Sequence, residues 1–139
     1  MNKLDMLLED IEQSYDWESL IDKLEPYAKN ILGYENTPSI ELKDDSDNAS
    51  KMQHAKTAEY DPNSSTVYVY ITDRHPKDIL RSICHELVHH KQFEDGELDD
   101  VAGVPADKFR ENDSLGKLEK EAYSLGGEIL QGFSYDDED

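Results

Sequence analysis

The chain has 139 residues, enough for one compact domain with a modest core and too few for two. Its 14 Lys and Arg stand against 33 Asp and Glu, a formal charge of −19, and such a surface repels phosphate backbones and anionic lipid faces, so nucleic acid and membrane surfaces are excluded as main partners. Cys84 is the only cysteine, which rules out an intrachain disulfide, and much of the acidity reads as solubilising surface plus loose segments at Asp44 to Asp47 and Asp136 to Asp139.

The N-terminus, MNKLDMLLEDIEQ, places Leu4, Leu7, Leu8 and Ile11 at helical spacing with acids between them. A secretory signal needs an unbroken apolar core and a membrane span a much longer one, so the expectation is a protein made and kept in the cytoplasm. A phage protein that reaches the host cytoplasm or the virion by another route would share this pattern. A second helical segment begins near Asp16, with Trp17, Leu20, Ile21 and Leu24 on one face, and Pro26 is expected to break or bend it before Tyr27, Ile31 and Leu32. Residues 1–35 therefore read as helical scaffold.

From Pro38 the pattern changes. Ser39 to Lys43 alternates as a short strand, and Asp44 to Ser50 is a polar loop. His54 to Tyr60 carries a fainter strand pattern, Asp61-Pro62-Asn63-Ser64-Ser65 is a turn, and Thr66 to Thr72, TVYVYIT, is the strongest strand signal in the chain. The two runs joined by DPNSS read as a β-hairpin that feeds through Asp73 to Pro76 into the next helix.

That helix, around DILRSICHELVHHKQF, carries His85, Glu86 and His89 in the pattern HExxH. Two histidines four apart project from one helix face, so their ring nitrogens can converge on one metal ion, and neutral imidazole is a good zinc ligand. Glu86 lies well round from His85, poorly placed as a ligand but suited to act as general base on a water at an open metal position. Ile79, Leu80, Ile83, Cys84, Leu87 and Val88 form a broad apolar stripe, with Asp78, His85 and His89 on its polar flank and Ser82 and Gln92 to either side. Cys84 on that stripe reads as a small buried hydrophobe. Pro76 suits the first turn and Gly96 the end. The bland alternative is a pair of surface histidines on a core helix.

The stretch ELDDVAGVPADKFREND reads as a long connection of the kind that often walls a site. Ser114 to Gln131 is helical again, with Leu115, Leu118, Ala122, Leu125 and Ile129 on a stripe, and Gly126-Gly127 either weakens the helix or admits another backbone. A catalytic zinc site needs a third protein ligand, and the one histidine downstream of His89 is His90, which points about 100° away on the same helix, so the remaining donors are carboxylates. Glu119, Glu121 and Glu128 lie on the last helix, Glu121 next to small Ala122 on the buried stripe; Asp99, Asp100 and Asp107 compete from the connection. A plain solvated charge is the alternative for Glu121. The tail SYDDED is expected to be disordered.

HELVH at 85 to 89 followed by a helix bearing EAY at 121 to 123 resembles the gluzincin class of zinc metallopeptidases, in which a glutamate on a later helix completes the site. Tyr60 to Gln92, a hairpin strand before the motif helix, is similar to small metallopeptidases of phages and microbes. The resemblance covers Tyr60 to Leu130, about half the chain, and departs from thermolysin-like members in length and in Leu125, where an acidic residue is often found. It implies one zinc ion held by His85, His89 and Glu121, Glu86 as base, and hydrolysis of a peptide or protein substrate. The fold expected is α+β and minimally zincin-like, a single domain over 1–139 with a small antiparallel sheet, the hairpin before the motif helix, helices at both ends and an acidic tail at 136–139. Val67, Tyr68, Val69 and Tyr70 of the strong strand are expected to bind an extended substrate as an added strand. Tyr123 is a candidate to stabilise the oxyanion, with Tyr135, His75 and His90 as rivals. A zincin-shaped metal-binding module without hydrolysis, or a metal-free acidic binding protein, are the alternatives.

Overall fold

A run of β-branched and aromatic residues with few polar interruptions suits a strand covered on both flanks, and TVYVY takes that place. The computed structural model describes residues 17–51, 57–97 and 113–136, the side chains of 113–115 and 134–136 excepted. Its elements are α1 (Trp17–Leu32), β1 (Ser39–Lys43), α2 (Ser46–Ala49), β2 (Ala58–Asp61), β3 (Thr66–Tyr70), α3 (Pro76–Glu94) and α4 (Asp113–Asp136). The class is α+β, as expected. The N-terminal segment with Leu4 to Ile11, the connection with Asp99, Asp100 and Asp107, and residues 137–139 lie outside the described residues.

The sheet has the order β1-β3-β2. Strand β2 pairs antiparallel with β3, Ala58 opposite Val69 and Tyr60 opposite Val67, which is the expected hairpin. Strand β1 pairs parallel with β3, Ser39 opposite Thr66 through Lys43 opposite Tyr70. The sheet is therefore mixed, not antiparallel. Chain direction reverses at β2 and again at β3, so β1 and β3 run the same way, and placing the most apolar strand centrally makes them neighbours. The central position satisfies both edges of β3 with ladder hydrogen bonds.

Helix α1 runs unbroken through Pro26, which corrects the expected break. The missing N–H leaves the Asp22 carbonyl without its helical partner, but Asp22 and Pro26 are both exposed, where water can serve it. On the opposite face Trp17, Leu20, Leu24 and Ala28 are buried and hold the helix against the core. The loop after β1 contains the single turn α2, capped by Asp45 through a 3.0 Å bond from Asn48 N–H.

The motif helix α3 is defined at both ends. His75 sits extended before Pro76 and its Nδ1 accepts from Lys77 N–H at 3.0 Å, an N-cap followed by proline at the first helical position. At the other end Gly96 has φ +78, Gly96 N–H reaches Phe93 O at 3.0 Å and Glu97 N–H reaches Gln92 O at 2.9 Å, which is a Schellman stop. Between them Ile79, Leu80, Ile83, Cys84, Leu87 and Val88 are all buried, joining Val67 and Val69 of β3, the buried face of α1, and Ala122, Ile129, Leu130 and Phe133 of α4 in one cluster. Helix α3 lies on the β2–β3 side of the sheet and packs most extensively on α4. Helix α4 continues to Asp136, so the disorder expected from Ser134 does not hold up to that residue.

Candidate metal centre

Helices α3 and α4 pack antiparallel, so ascending positions on one meet descending positions on the other. Gln92 touches Leu118 and Glu121, His89 meets Glu119, and His85 meets Tyr123 and Gly126. The approach at Gly126 is close. A Cβ built there would lie 3.0 Å from His85 N and 3.2 Å from His85 Cα, so only glycine admits the two backbones at this separation. The expectation that Gly126-Gly127 lets another backbone approach is met at Gly126, and the backbone is that of His85 itself.

Three side chains converge at this crossing. His85 Nε2 and His89 Nε2 are 3.2 Å apart, Glu119 Oε1 is 2.6 Å from His89 Nε2 and 3.5 Å from His85 Nε2, and the group could hold a metal ion. Burial by itself would raise the Glu119 carboxyl, but hydrogen bonds and charge from both histidines win and hold it down at about 2. Burial would likewise depress His89; its bond to Glu119 and the nearby Glu86 charge outweigh that and raise it.

The carboxylate that reaches the histidines is Glu119, and this corrects Glu121. The two residues are two positions apart, about 200° around the helix, and straddle the buried Ala122 stripe on opposite flanks. The histidines lie on the Glu119 flank, while Glu121 accepts from Gln92 Nε2 at 2.9 Å. A signal for Glu119 was present: Glu119, Tyr123 and Gly126 share one face at i, i+4 and i+7, and Gly126 marks where α3 comes close.

Beside the histidines a cleft of about 360 Å³ is lined by Thr57 and Ala58 of the β2 approach, Arg74, the exposed flank of α3 from Asp78 to Glu86, and Ala122, Tyr123, Gly126 and Gly127 of α4. Glu86 is almost wholly buried yet borders this cleft, and burial, only partly countered by His89 and His85, raises its carboxyl above the usual range. Tyr123 is exposed, its ring centroid 4.3 Å from that of His85 at the cleft mouth.

Arg74 fixes the far wall. Its guanidinium donates to Thr57 O at 2.9 Å, Tyr70 O at 2.7 Å, Asp78 O at 3.1 Å and Ser82 Oγ at 2.7 Å, tying the start of β2 to the first turns of α3. Nothing in the sequence marked it, because its acceptors are mostly backbone carbonyls.

The expected substrate strand is corrected too. Val67, Tyr68, Val69 and Tyr70 belong to the central strand, paired on both edges, and Val67 and Val69 are sealed in the core. Among the described residues the strand bordering the cleft with an unpaired edge is β2. Two rivals for the oxyanion role are committed elsewhere. His75 caps α3, and His90 is buried with Nε2 on Asn36 O at 2.6 Å and Nδ1 on the Tyr60 hydroxyl at 2.7 Å. The Tyr135 side chain lies outside those described. Cys84 is fully buried, its thiol pushed up to about 12 by burial.

Among the described residues no helix is long and apolar enough to cross a membrane. No protein-family model, curated protein or solved structure matches the chain.

Proposed function

We propose that the protein is a zinc-dependent metallopeptidase whose ligands are His85, His89 and Glu119 and whose general base is Glu86. The carrying observation is the convergence of two imidazoles and one carboxylate next to a cleft that a second, buried carboxyl group borders. The donor set of two nitrogens and one oxygen suits zinc, and nitrogens each 2.0–2.1 Å from a tetrahedral zinc lie about 3.3 Å apart, close to the 3.2 Å separating the two Nε2 atoms. Three protein ligands, the number found here among the described residues, leave the fourth position open, which favours a catalytic over a closed structural site.

Zinc would supply a Lewis acid that makes a bound water acidic near neutrality and polarises a carbonyl. The chain's own groups divide the remaining work. Glu86, its carboxyl raised by burial, is tuned toward taking the proton of the attacking water and delivering it to the departing amine. Strand β2 offers an edge for an extended peptide: Thr57 C=O turns inward to accept from Tyr70 N–H at 3.1 Å, so antiparallel alternation turns the backbone groups of Ala58 outward, on the cleft. Tyr123, beside His85 at the mouth, is the hydroxyl best situated to donate to a developing oxyanion.

The test is Glu86→Gln measured against an unstructured protein substrate. The variant should keep one zinc per chain and lose cleavage by at least about a hundredfold. Undiminished cleavage would refute the role of Glu86; wild-type protein that takes up zinc but cleaves nothing would favour the metal-binding module without hydrolysis.

A further inference from the structure

Gln92 occupies a place the proposed chemistry does not yet use. It is 1% exposed, one turn beyond His89 on α3, and every polar atom of its amide is engaged. Nε2 donates to Leu118 O at 3.0 Å and to Glu121 Oε1 at 2.9 Å, while Oε1 lies 2.8 Å from His89 Nδ1. A backbone carbonyl and a carboxylate only accept, so they fix which end of the amide is nitrogen. The oxygen therefore faces His89, and since an amide oxygen also only accepts, Nδ1 must carry a proton. A neutral imidazole protonated at Nδ1 has its lone pair at Nε2, the atom that faces Glu119 and His85.

We infer that Gln92 is a positioning residue of the metal centre: anchored by Glu121 and the Leu118 carbonyl, it sets the tautomer and ring orientation of His89 so that Nε2 is presented to the ion. The inference rests on the proposed metal site and deepens it. It also assigns Glu121 a role. The glutamate adjoining the stripe does not reach the metal; it orients the amide that orients a ligand. Because Gln92 bonds the carbonyl immediately before Glu119, one side chain sets the spacing of a ligand on α3 against a ligand on α4. Among the described residues His85 Nδ1 is buried without a hydrogen-bond partner, so the support seen there falls on His89.

The experiment measures zinc affinity by chelator competition and the protonation of His89 by long-range proton–nitrogen NMR of the zinc-loaded full chain. Wild type should show His89 bound through Nε2 with a slowly exchanging Nδ1 proton. Gln92→Met, close in shape but without the amide, should bind zinc 10–100-fold more weakly, the usual cost of removing a partner behind a metal ligand, and should lose protection of that proton. Glu121→Leu, at an exposed position that leaves folding intact, should loosen the same proton and weaken zinc several-fold, with Glu121→Gln restoring both. Wild-type His89 bound through Nδ1, or unchanged affinity and proton exchange in Gln92→Met or in Glu121→Leu, overturns the inference while the metal site stands. Wild type that binds no zinc overturns the site and the inference together.

Discussion

Replacing Gly126 by alanine tests whether the close crossing of α3 and α4 is what assembles the ligands. The added Cβ would fall 3.0 Å from His85 N, about 0.4 Å inside the 3.4 Å at which ordinary contact begins, and its neighbours at 3.2 and 3.3 Å are also backbone atoms of residues 84 and 85 that cannot rotate away. The helices must part by a few tenths of an ångström. Helix propensity gives back about 1 kcal/mol for Gly→Ala, whereas overpacking costs about 1–3 kcal/mol, so the net loss should be about 0–2 kcal/mol, or up to about 6 °C in Tm. The effect on zinc should be larger, because metal–ligand distances tolerate only about 0.2 Å and Glu119 rides on the displaced helix. Gly127→Ala is the control: a Cβ there meets nothing within 4 Å, so it should gain about 0.5–1 kcal/mol and leave zinc binding unchanged. The assay is thermal unfolding of zinc-free protein together with chelator competition on each variant. Equal zinc affinity in Gly126→Ala and Gly127→Ala would refute the claim that this contact sets the ligand geometry.

The remaining expectations follow from the same geometry. Glu119→Gln should abolish tight zinc binding in dialysed protein measured by metal analysis, a far greater loss than for Glu121→Gln, and the reverse order would return the ligand role to Glu121. Ala58→Pro removes an N–H that points away from the ladder, so it should raise KM for an extended peptide several-fold with zinc content and Tm nearly unchanged; unchanged KM would take the substrate off β2. In zinc-free protein the raised His89 contributes stability that is complete below its ordinary value of 6.5 and is lost as pH climbs through the folded value. The depressed Glu119 contributes above its ordinary 4.5 and loses it as pH falls toward about 2. Denaturant melts should therefore show the pair's contribution greatest between about pH 4.5 and 6.5 and absent in Glu119→Gln. Zinc affinity should rise with pH, since the ion competes with the His89 proton.

What the sequence discloses here is whatever depends on near neighbours. The helix with His85 and His89, its proline start and glycine stop, and the hairpin around Asp61 to Ser65 were legible because each is specified within a few residues. The strand Thr66–Tyr70 was legible as a strand, but its position between two others was not, since strand order is decided by which partners cover it. The same limit applies to the third ligand. Helical spacing brings Glu119 and Glu121 equally close to the stripe, and the side from which α3 crosses, marked in the sequence by Gly126 on the Glu119 face, decides between them. Pro26 failed as a breaker because the buried face of α1 outweighs one lost hydrogen bond at an exposed carbonyl. That the motif helix would face a cleft was legible from its polar flank, whereas Gln92 and Arg74 act through contacts far along the chain.

All the groups assigned to the ion stand on a pair of antiparallel rods, with Ile129, Leu130 and Phe133 buried toward one end of the last helix and the candidate ligands toward the other, beside small Ala122 and Gly126. Greasy side chains thus fasten one end of the seam, and under the proposed function a cation would latch the other. Chelation would then do more than silence chemistry: it would unlatch the leading turns of the final helix, so metal supply and the closed shape of that helix pair would rise and fall together.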